Sequence, residues 1–156
     1  IINGWTTGPN NYIKVYTPVS ASEVGVSQRH SGKWSSSGYR LEAAAAYVLT
    51  VSTSNVKIDG IQLKRTAASG YDAHGIRITP AIGNVEISNS ILWYASSDNT
   101  VYKGIGLGNN SLNIKIWNNI IYGFETGFYI SVQDAVRGTF YVYNNTFISW
   151  YSVCDY

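Results

Sequence analysis

The segment Asn55-Val-Lys-Ile-Asp-Gly-Ile-Gln-Leu63 has three further counterparts along the chain. They are Asn84-Val-Glu-Ile-Ser-Asn-Ser-Ile-Leu92, Asn113-Ile-Lys-Ile-Trp-Asn-Asn-Ile-Ile121 and Thr139-Phe-Tyr-Val-Tyr-Asn-Asn-Thr-Phe147, and the four starts are 29, 29 and 26 residues apart. A period of this length is typical of repeat architectures. Apolar and polar residues alternate within each copy, which is the periodicity of a β-strand. One such strand per coil predicts a parallel β-solenoid.

A second strand precedes each repeat at a nearly constant distance. Gly75-Ile-Arg-Ile78 and Gly104-Ile-Gly-Leu107 end 7 residues before the first inward position of the next repeat, and Gly127-Phe-Tyr-Ile130 ends 10 residues before it. The offset of 7 residues makes Ala46-Tyr-Val-Leu49 the equivalent strand of an earlier coil. A third strand follows the turn of each repeat, so we expect three short strands in every coil.

Inward side chains of successive coils should form stacks, because parallel strands of neighbouring coils lie about 4.8 Å apart. The predicted stacks are Tyr47, Ile76, Ile105 and Phe128; Leu49, Ile78, Leu107 and Ile130; Val56, Val85, Ile114 and Phe140; Ile58, Ile87, Ile116 and Val142; and Leu63, Leu92, Ile121 and Phe147. Because all of these side chains are apolar or aromatic, they predict one continuous core along the solenoid.

The turn after the repeated strand holds Gly60, Asn89, Asn118 and Asn144. Gly and Asn are the residues that tolerate a left-handed backbone, so we predict a positive φ at all four positions. Successive Asn side chains at one position can also hydrogen-bond along the stack as a ladder. We interpret this set as a structural feature of the coils.

Two columns of outward side chains support the same register. The first column alternates in charge, which avoids repulsion between like charges on neighbouring strands. The second becomes aromatic toward the C-terminus. Their members are Lys57, Glu86 and Lys115 in the first, and Asp59, Ser88, Trp117 and Tyr143 in the second.

The composition excludes several classes of function. The 156 residues suffice for one domain with a real core, and 13% charged residues is about half the usual share. A net charge of +2 does not favour nucleic acid as a partner. No apolar run approaches the roughly 20 residues that span a bilayer, so membrane insertion is not predicted. The neutral polar composition favours a location outside the cytosol, either extracellular or at a cell or virion surface.

The first 45 residues follow a different pattern. Asn11-Tyr-Ile-Lys-Val-Tyr16 is predicted to be a strand, whereas residues 17–38 are polar and rich in Gly and Ser. Loops of this length often have a function or cover other elements, and solenoids need caps over their open strand edges. We therefore expect a single domain with an N-terminal cap and loop over 1–45, coils over 46–148 and a C-terminal edge segment over 149–156.

The repeats resemble the right-handed parallel β-helices of the pectin lyase-like superfamily. The run Val142-Tyr-Asn-Asn-Thr-Phe147 is typical of those coils. Trp5, Asn11-Tyr-Ile-Lys14 and Arg29-His-Ser-Gly-Lys33, leading into Asn55-Val-Lys-Ile-Asp-Gly60, resemble the opening of uncharacterised secreted or phage-borne β-helix proteins. The resemblance implies an all-β parallel β-helix of about four to five coils. It does not select a function, because the same coil occurs in lyases, hydrolases, tailspikes, adhesins and passive fibres.

One constellation could support catalysis. The resemblance implies two kinds of active site. Polysaccharide lyases of this fold use Asp-bound calcium with an Arg or Lys base, and glycosidases need two carboxyl groups roughly 5 to 10 Å apart. Asp72 and Asp98 are the only acids that we place near one corner, with His74 and Arg77 beside them. The alternative is that Asp72 and Asp98 cap backbone N–H groups and that His74 is solvated in a turn. No cofactor or metal site is predicted, and the sequence does not decide whether calcium binds.

Exposed aromatic residues suggest a binding surface instead. They could stack on sugar rings, pack against a neighbouring subunit, or lie under loops. The residues concerned are Trp93, Tyr94, Trp117, Tyr141 and Tyr143.

The two ends of the chain are apolar. The N-terminus opens on Ile1 and Ile2 without any Met, as expected of a processed product or an excised piece. Trp150, Tyr151 and Cys154 lie at the other end. The single cysteine is expected to be a buried small side chain or a cross-link to another subunit. Open edges of this kind favour head-to-tail self-association.

We therefore predict a non-catalytic extracellular structural or adhesive β-helix module, part of a fibre, sheath or surface appendage. The acids are few and scattered, whereas a stiff rod with an aromatic face suits adhesion. A polysaccharide lyase or hydrolase fragment and a carbohydrate-binding module are the alternatives.

Overall fold

A computed structural model describes residues 1–66, 73–79, 82–95, 102–108, 111–131, 138–149 and 151–155. Within these residues the chain forms five coils of three strands, and the only helical segment is a 3-10 turn at Val26–Gln28. None of the described segments is a helix long and apolar enough to cross a membrane. The strands, coil by coil, are β1 (Ile13–Tyr16), β2 (Arg40–Ala43) and β3 (Tyr47–Val51); β4 (Val56–Asp59), β5 (Gln62–Arg65) and β6 (Ala73–Ile78); β7 (Ile82–Ser88), β8 (Ile91–Tyr94) and β9 (Tyr102–Leu107); β10 (Ser111–Trp117), β11 (Ile120–Tyr122) and β12 (Thr126–Ile130); and β13 (Thr139–Tyr143), β14 (Thr146–Ile148) and β15 (Ser152–Asp155).

The strands assemble into three parallel sheets of five strands each. The first sheet has the order β1-β4-β7-β10-β13, the second β2-β5-β8-β11-β14, and the third β3-β6-β9-β12-β15. Every strand therefore pairs with the equivalent strands of the neighbouring coils. This arrangement is a parallel β-helix, as the repeat predicted.

The predicted core is confirmed with two corrections. In the fifth coil Val142 pairs with Ile116 as predicted but is 40% exposed. On neighbouring strands Val56 pairs with Val85, and Val85 pairs with Ile114. Ile58 pairs with Ile87 in the same way. All five side chains are 0–1% exposed. The first member of each stack in the third sheet was wrong, however.

The strand β3 is shifted by two residues from the predicted register. Leu49 pairs with Ile76, and Val51 pairs with Ile78, while Tyr47 pairs with His74. The turn between Val51 and the next repeat is two residues shorter than each of the next two turns, so the offset of 7 residues taken from those coils misplaced Tyr47.

The four turn positions have the backbone conformation that their residue types predict. Gly60 has φ 71°, and Asn89, Asn118 and Asn144 have φ between 50° and 56°. The predicted ladder is present between two of them, because Asn118 Nδ2 donates to Asn89 Oδ1 at 3.3 Å.

A second amide ladder lies one residue further along, in the corner between the first and second sheets. Asn119 is 1% exposed, and its Oδ1 accepts from the Ser90 backbone N–H at 2.9 Å. Its Nδ2 donates to the Ile87 and Trp117 carbonyls at 3.0 Å each. In the next coil Asn145 Oδ1 accepts from the Asn119 backbone N–H at 3.0 Å. Such bonds satisfy backbone groups that the corner removes from the sheets.

The N-terminal residues contribute strands to the solenoid. Ile13 and Tyr16 of β1 pair with Val56 and Asp59, and β2 pairs with β5. Between β1 and β2, residues 17–39 form a flap against the second sheet. The flap is held by Gln62, whose side chain accepts from the Ser35 N–H at 2.6 Å and donates to the Ser35 and Tyr39 carbonyls at 3.2 and 3.1 Å.

Candidate functional site

The outer face of the first sheet carries a groove that runs along the strands. Three clefts make it up, of about 250, 220 and 240 Å³. The first two clefts share Lys57 and Glu86, and the second and third share Asn89. The groove therefore starts at the beginning of β4 and β7, crosses these strands lengthwise, and ends at the corner between the first and second sheets.

The groove exists because outward side chains differ in size from coil to coil. Its floor in the second and third coils includes the short residues Asn55, Asn84 and Ser88. Bulkier side chains rise on both sides, with Tyr12 in the first coil and Trp117 in the fourth. We call these two sides the aromatic walls.

Lysine ammonium groups lie over aromatic rings along the groove. Lys57 Nζ lies 4.4 Å from the Tyr12 ring centroid and 3.4 Å from a Glu86 carboxylate oxygen. In the first coil Lys14 Nζ lies 4.0 Å from the Tyr16 ring centroid. These lysines present N–H donors and a positive charge beside π-faces.

The second cleft contains a carboxylate that is fully engaged. Asp59 accepts from the Arg29 guanidinium at 3.1 and 3.4 Å, from Ser88 Oγ at 3.1 Å, and from Asn89 Nδ2 at 2.7 Å. Burial alone raises the pKa of Asp59, but these hydrogen bonds and the Arg29 charge outweigh it, so its pKa is lower than usual. Asp59 is therefore ionised at neutral pH.

Arg29 fastens the flap to this cleft. Besides Asp59, its guanidinium donates to the Thr17 carbonyl at 2.6 Å. The same guanidinium occupies the space beside Gly60, where any Cβ would collide with it. Glycine at position 60 therefore has two roles: it adopts the positive φ of the turn, and it leaves space for the Arg29 guanidinium.

The predicted aromatic surface divides between two sheets. Trp117 and Tyr143 stack on the first sheet, with ring centroids 6.1 Å apart and planes 10° apart, and Tyr143 and Tyr141 are 47% and 51% exposed. Trp93 lies on the second sheet, where Trp34 of the flap meets it edge-to-face at 5.1 Å. Only the first group belongs to the groove side.

Tyr94 is not part of an exposed surface. It is 3% exposed and packs into the core, with its ring centroid 4.7 Å from that of Tyr102 and 6.0 Å from that of Phe124. The expectation that it is exposed was wrong, because its side chain points to the other face of β8 from Trp93.

The predicted catalytic constellation is only half described. Asp72 and Asp98 lie outside the described residues. His74 and Arg77 are on β6 in the third sheet, away from the groove. His74 is buried and stacks on Tyr47 with centroids 5.5 Å apart, and the Arg77 guanidinium lies 4.6 Å from the same ring and donates to the Tyr47 hydroxyl. The alternative that His74 is solvated in a turn was wrong.

The predicted assembly ends differ from one another. Ile1 is 89% exposed, but the backbone of Ile2 is paired with Val51 in a parallel bridge. Tyr151 is 72% exposed, and Trp150 lies outside the described residues.

Cys154 is exposed rather than buried. It pairs with Phe128 in an inward column, but it belongs to the last coil. Partial burial and Asp155 raise the pKa of its thiol, which is therefore protonated at neutral pH.

Sequence reasoning missed several residues of the groove. Tyr12 and Lys14 line it from the first coil, and Arg29 and His30 line it from the flap. The first pair had a readable signal, because Ile13-Lys-Val-Tyr16 repeats the apolar–Lys–apolar pattern of Val56-Lys-Ile-Asp59. The flap residues had none, since no local pattern shows which strand a loop contacts.

The described residues contain no cluster of three or more His, Cys, Asp or Glu side chains that could hold a metal ion. Their chemistry in the groove is instead that of amides, lysines and aromatic rings. Comparison with protein-family models, curated proteins and solved structures gives no match to this chain.

Proposed function

We propose that this chain is a non-catalytic extracellular adhesive module that binds an extended polysaccharide in the groove of the first sheet. The observation that carries the proposal is the row of polar side chains between the aromatic walls, in which short residues alternate with the Lys57–Glu86 ion pair. A chain of sugar rings presents apolar ring faces and a periphery of hydroxyl groups. The groove offers the complementary groups along one line.

The aromatic walls supply the apolar contacts. Tyr12 is 44% exposed, and Trp117 on the opposite side is half-buried, held by its stack on Tyr143. Fixed rings of this kind bury large area at little cost in side-chain entropy, which suits a ligand with repeated apolar faces.

The floor supplies the polar contacts. Asn84 Nδ2 donates to Asn55 Oδ1 at 3.2 Å, and Asn113 Nδ2 donates to Asn84 Oδ1 at 3.4 Å, so these amides are oriented in a row. Each amide keeps further donor and acceptor capacity. Lys57 adds ammonium donors above the row.

The acids of the groove favour binding over cleavage. A glycosidase needs one carboxyl group that is protonated at working pH and a second that is free to act as base or nucleophile. Asp59 is held ionised by Arg29, and Glu86 is paired with Lys57. Both carboxylates are therefore committed to structural contacts. Of the residues in the lyase or hydrolase alternative, His74 and Arg77 lie on the third sheet, outside this groove, and Asp72 and Asp98 lie outside the described residues.

The test is binding to a panel of soluble polysaccharides by affinity electrophoresis and calorimetry. We expect Trp117→Ala to weaken binding at least about tenfold, roughly 1.4 kcal/mol, because an aromatic anchor is lost. Tyr151→Ala, an exposed aromatic outside the groove, is the matched control and should bind as wild type. Binding that is unaffected by Trp117→Ala would reject the groove. Release of shorter saccharides from the bound polymer would reject the non-catalytic part of the proposal.

We also propose, on the strength of the three stacked parallel sheets and the Val142–Phe147 run, that the chain belongs with the pectin lyase-like β-helices. Membership predicts a right-handed coil, which an experimental structure would test directly.

Head-to-tail self-association is a second candidate, with a role in a fibre or sheath. It is favoured by the exposure of apolar side chains in the fifth coil, where Val142 is 40%, Ile148 63% and Val153 52% exposed. Sedimentation velocity over a concentration series tests it. Growth of the sedimentation coefficient with concentration is the expected result, and a constant monomer value would reject this candidate.

A further inference from the structure

The second cleft of the groove is a slot within one outward column of the first sheet. Asp59, Ser88, Trp117 and Tyr143 pair in register on neighbouring strands. Trp117 and Tyr143 stack with their planes 10° apart, so one face of the indole is turned to the fifth coil and the other to the third coil. In the third coil the column holds Ser88, whose side chain is too short to cover the ring. The second face of Trp117 therefore forms one wall of the cleft.

The floor of the slot is fixed by hydrogen bonds among its own residues. Ser88 Oγ and Asn89 Nδ2 both donate to Asp59 Oδ1, at 3.1 and 2.7 Å. The Arg29 guanidinium donates to the same oxygen at 3.1 Å and holds the carboxylate from the flap side. Because floor and wall are both fixed before a ligand arrives, binding does not require these side chains to be ordered.

The remaining residues of the slot supply accessible polar groups. They are Lys14, Lys57 and Glu86. Lys14 is exposed, and the side chains of Lys57 and Glu86 are 38% and 25% exposed. The contact between Lys57 and Glu86, at 3.4 Å, uses only one carboxylate oxygen and one direction of the ammonium group. Ammonium donors and a carboxylate acceptor are thus available to the hydroxyl groups of a ring that stacks on Trp117.

The slot and the first cleft lie on one straight line. At about 220 Å³ the slot has room for one sugar ring, since a cavity of about 150 Å³ accepts benzene. Strands β4 and β7 pair without interruption from Val56–Val85 to Asp59–Ser88. The register of Asn55, in the first cleft, is therefore about 13 Å from that of Asp59 along extended strands. A ligand that fills both clefts must stay straight over more than one ring and keep a flat face toward the indole.

We propose that the slot binds one ring of a flat, ribbon-like polysaccharide, whose sugars are joined by 1,4-linkages with both bonds equatorial, as in a β-1,4-glucan. Such a chain is straight, and its ring planes stay nearly parallel. The ring substituents of β-glucose are all equatorial, so both ring faces carry only C–H groups and either face can stack on Trp117. An α-1,4-linked chain turns at every linkage and would leave the line of the two clefts. This inference rests on the proposed binding function and names the class of polymer.

The test compares cellohexaose with maltohexaose, two glucose oligomers that differ only in the configuration of their linkages. Isothermal titration calorimetry measures both affinities, and protein-observed NMR follows the indole N–H of Trp117. We expect cellohexaose to shift this signal and to bind at least about tenfold more tightly than maltohexaose. Equal affinities, or no binding of cellohexaose, would overturn the inference.

Variants test the slot itself. Ser88→Trp would extend the stack of Trp117 and Tyr143 by one coil and fill the slot, so it should weaken cellohexaose binding at least about tenfold. Thr139→Trp is the matched control, because it adds the same ring at an exposed position of the fifth coil, and it should bind as wild type. Lys14→Met removes the ammonium donors of an exposed side chain without a change in the core, and it should weaken binding about threefold. Unchanged affinity in Lys14→Met and in folded Ser88→Trp would reject the slot.

Failure of this inference and failure of the groove give different results. A polysaccharide that binds through Trp117 while cellohexaose does not bind would reject the ribbon class and leave the groove in place. Binding of every polysaccharide by Trp117→Ala as by wild type would reject the groove itself.

Discussion

The contact between Arg29 of the flap and Asp59 of the groove, which we call the clamp, can be tested by adding a single methyl group at Gly60. Gly60→Ala has two consequences. The turn has φ 71°, where an L-residue costs about 1–2 kcal/mol, and the new Cβ would occupy the site of the Arg29 guanidinium. Displacing Arg29 removes its bonds to Asp59 and to the Thr17 carbonyl, which we estimate at about 2–3 kcal/mol because the pair is four-fifths buried. The total expected loss is about 3–5 kcal/mol.

Two control variants separate these consequences. Gly25 in the flap has φ 88° with open space around its Cβ position, so Gly25→Ala should show the backbone cost of about 1–2 kcal/mol alone. Gly60→Asn should show the opposite, because Asn89, Asn118 and Asn144 adopt the same conformation at the equivalent positions. Its cost should therefore come almost entirely from the displaced Arg29, at about 2–3 kcal/mol.

The assay is native-state hydrogen exchange of flap residues 17–39, read by mass spectrometry, together with the urea midpoint. A loss of about 2–3 kcal/mol in flap-opening free energy corresponds to roughly 30- to 150-fold faster exchange. Adding Arg29→Ala to Gly60→Asn should cause little further loss, since both remove the same contacts. If Gly60→Asn exchanges like wild type, or Gly60→Ala costs no more than Gly25→Ala, Arg29 does not clamp the flap.

Two further predictions concern the polar groups near the same corner. Asp59 has a lowered pKa, so its contribution to stability is present above the unfolded value of about 3.9 and is lost as the pH falls through the lower folded value. The urea midpoint of Asp59→Asn should consequently fall less between about pH 7 and pH 3 than that of wild type, and parallel curves would contradict this. Asn119→Ala should destabilise by about 2–4 kcal/mol in urea unfolding, because it leaves buried backbone groups such as the Ser90 N–H unpaired. Its exposed neighbour serves as control, since Asn118→Gly should change stability by no more than about 0.5 kcal/mol, and equal losses would rule out the special role of Asn119.

Most of the fold could be predicted because the same pattern of inward, outward and turn residues recurs in every coil of a solenoid. The Asn and Gly at one turn position predicted a positive φ that all four residues show. The alternation of Val56-Lys-Ile-Asp59 predicted which side chains face inward. The register of Tyr47 was wrong because it depended on a turn length that varies between coils and that no side-chain pattern records.

The candidate site was less predictable for two physical reasons. A groove is a difference in height between neighbouring side chains, so it emerges only when the first coil is aligned with the others. Asn84 is recognised as part of the floor only when Tyr12 of the first coil is aligned beside it. The flap contacts are the second reason, since Arg29 reaches Asp59 across 30 residues of chain through a loop without periodicity. Tyr94 is a different case, because alternation along β8 already places it on the opposite face from Trp93, where it packs against Tyr102 of a later strand and Phe124 of a later turn.

Because the groove runs along the strands, its width and its length depend on different parts of the chain. Because the groove lies along the strands, the number of coils between Tyr12 and Trp117 sets its width. Duplication of one 29-residue unit there would move the aromatic walls apart by one strand spacing, about 4.8 Å. Insertions in the turns at either end of the strands would instead alter its length. Groove width and groove length, and with them the thickness and length of the polymer that we propose as ligand, would thus change through different kinds of mutation: gene-segment duplication for the width and loop insertion for the length.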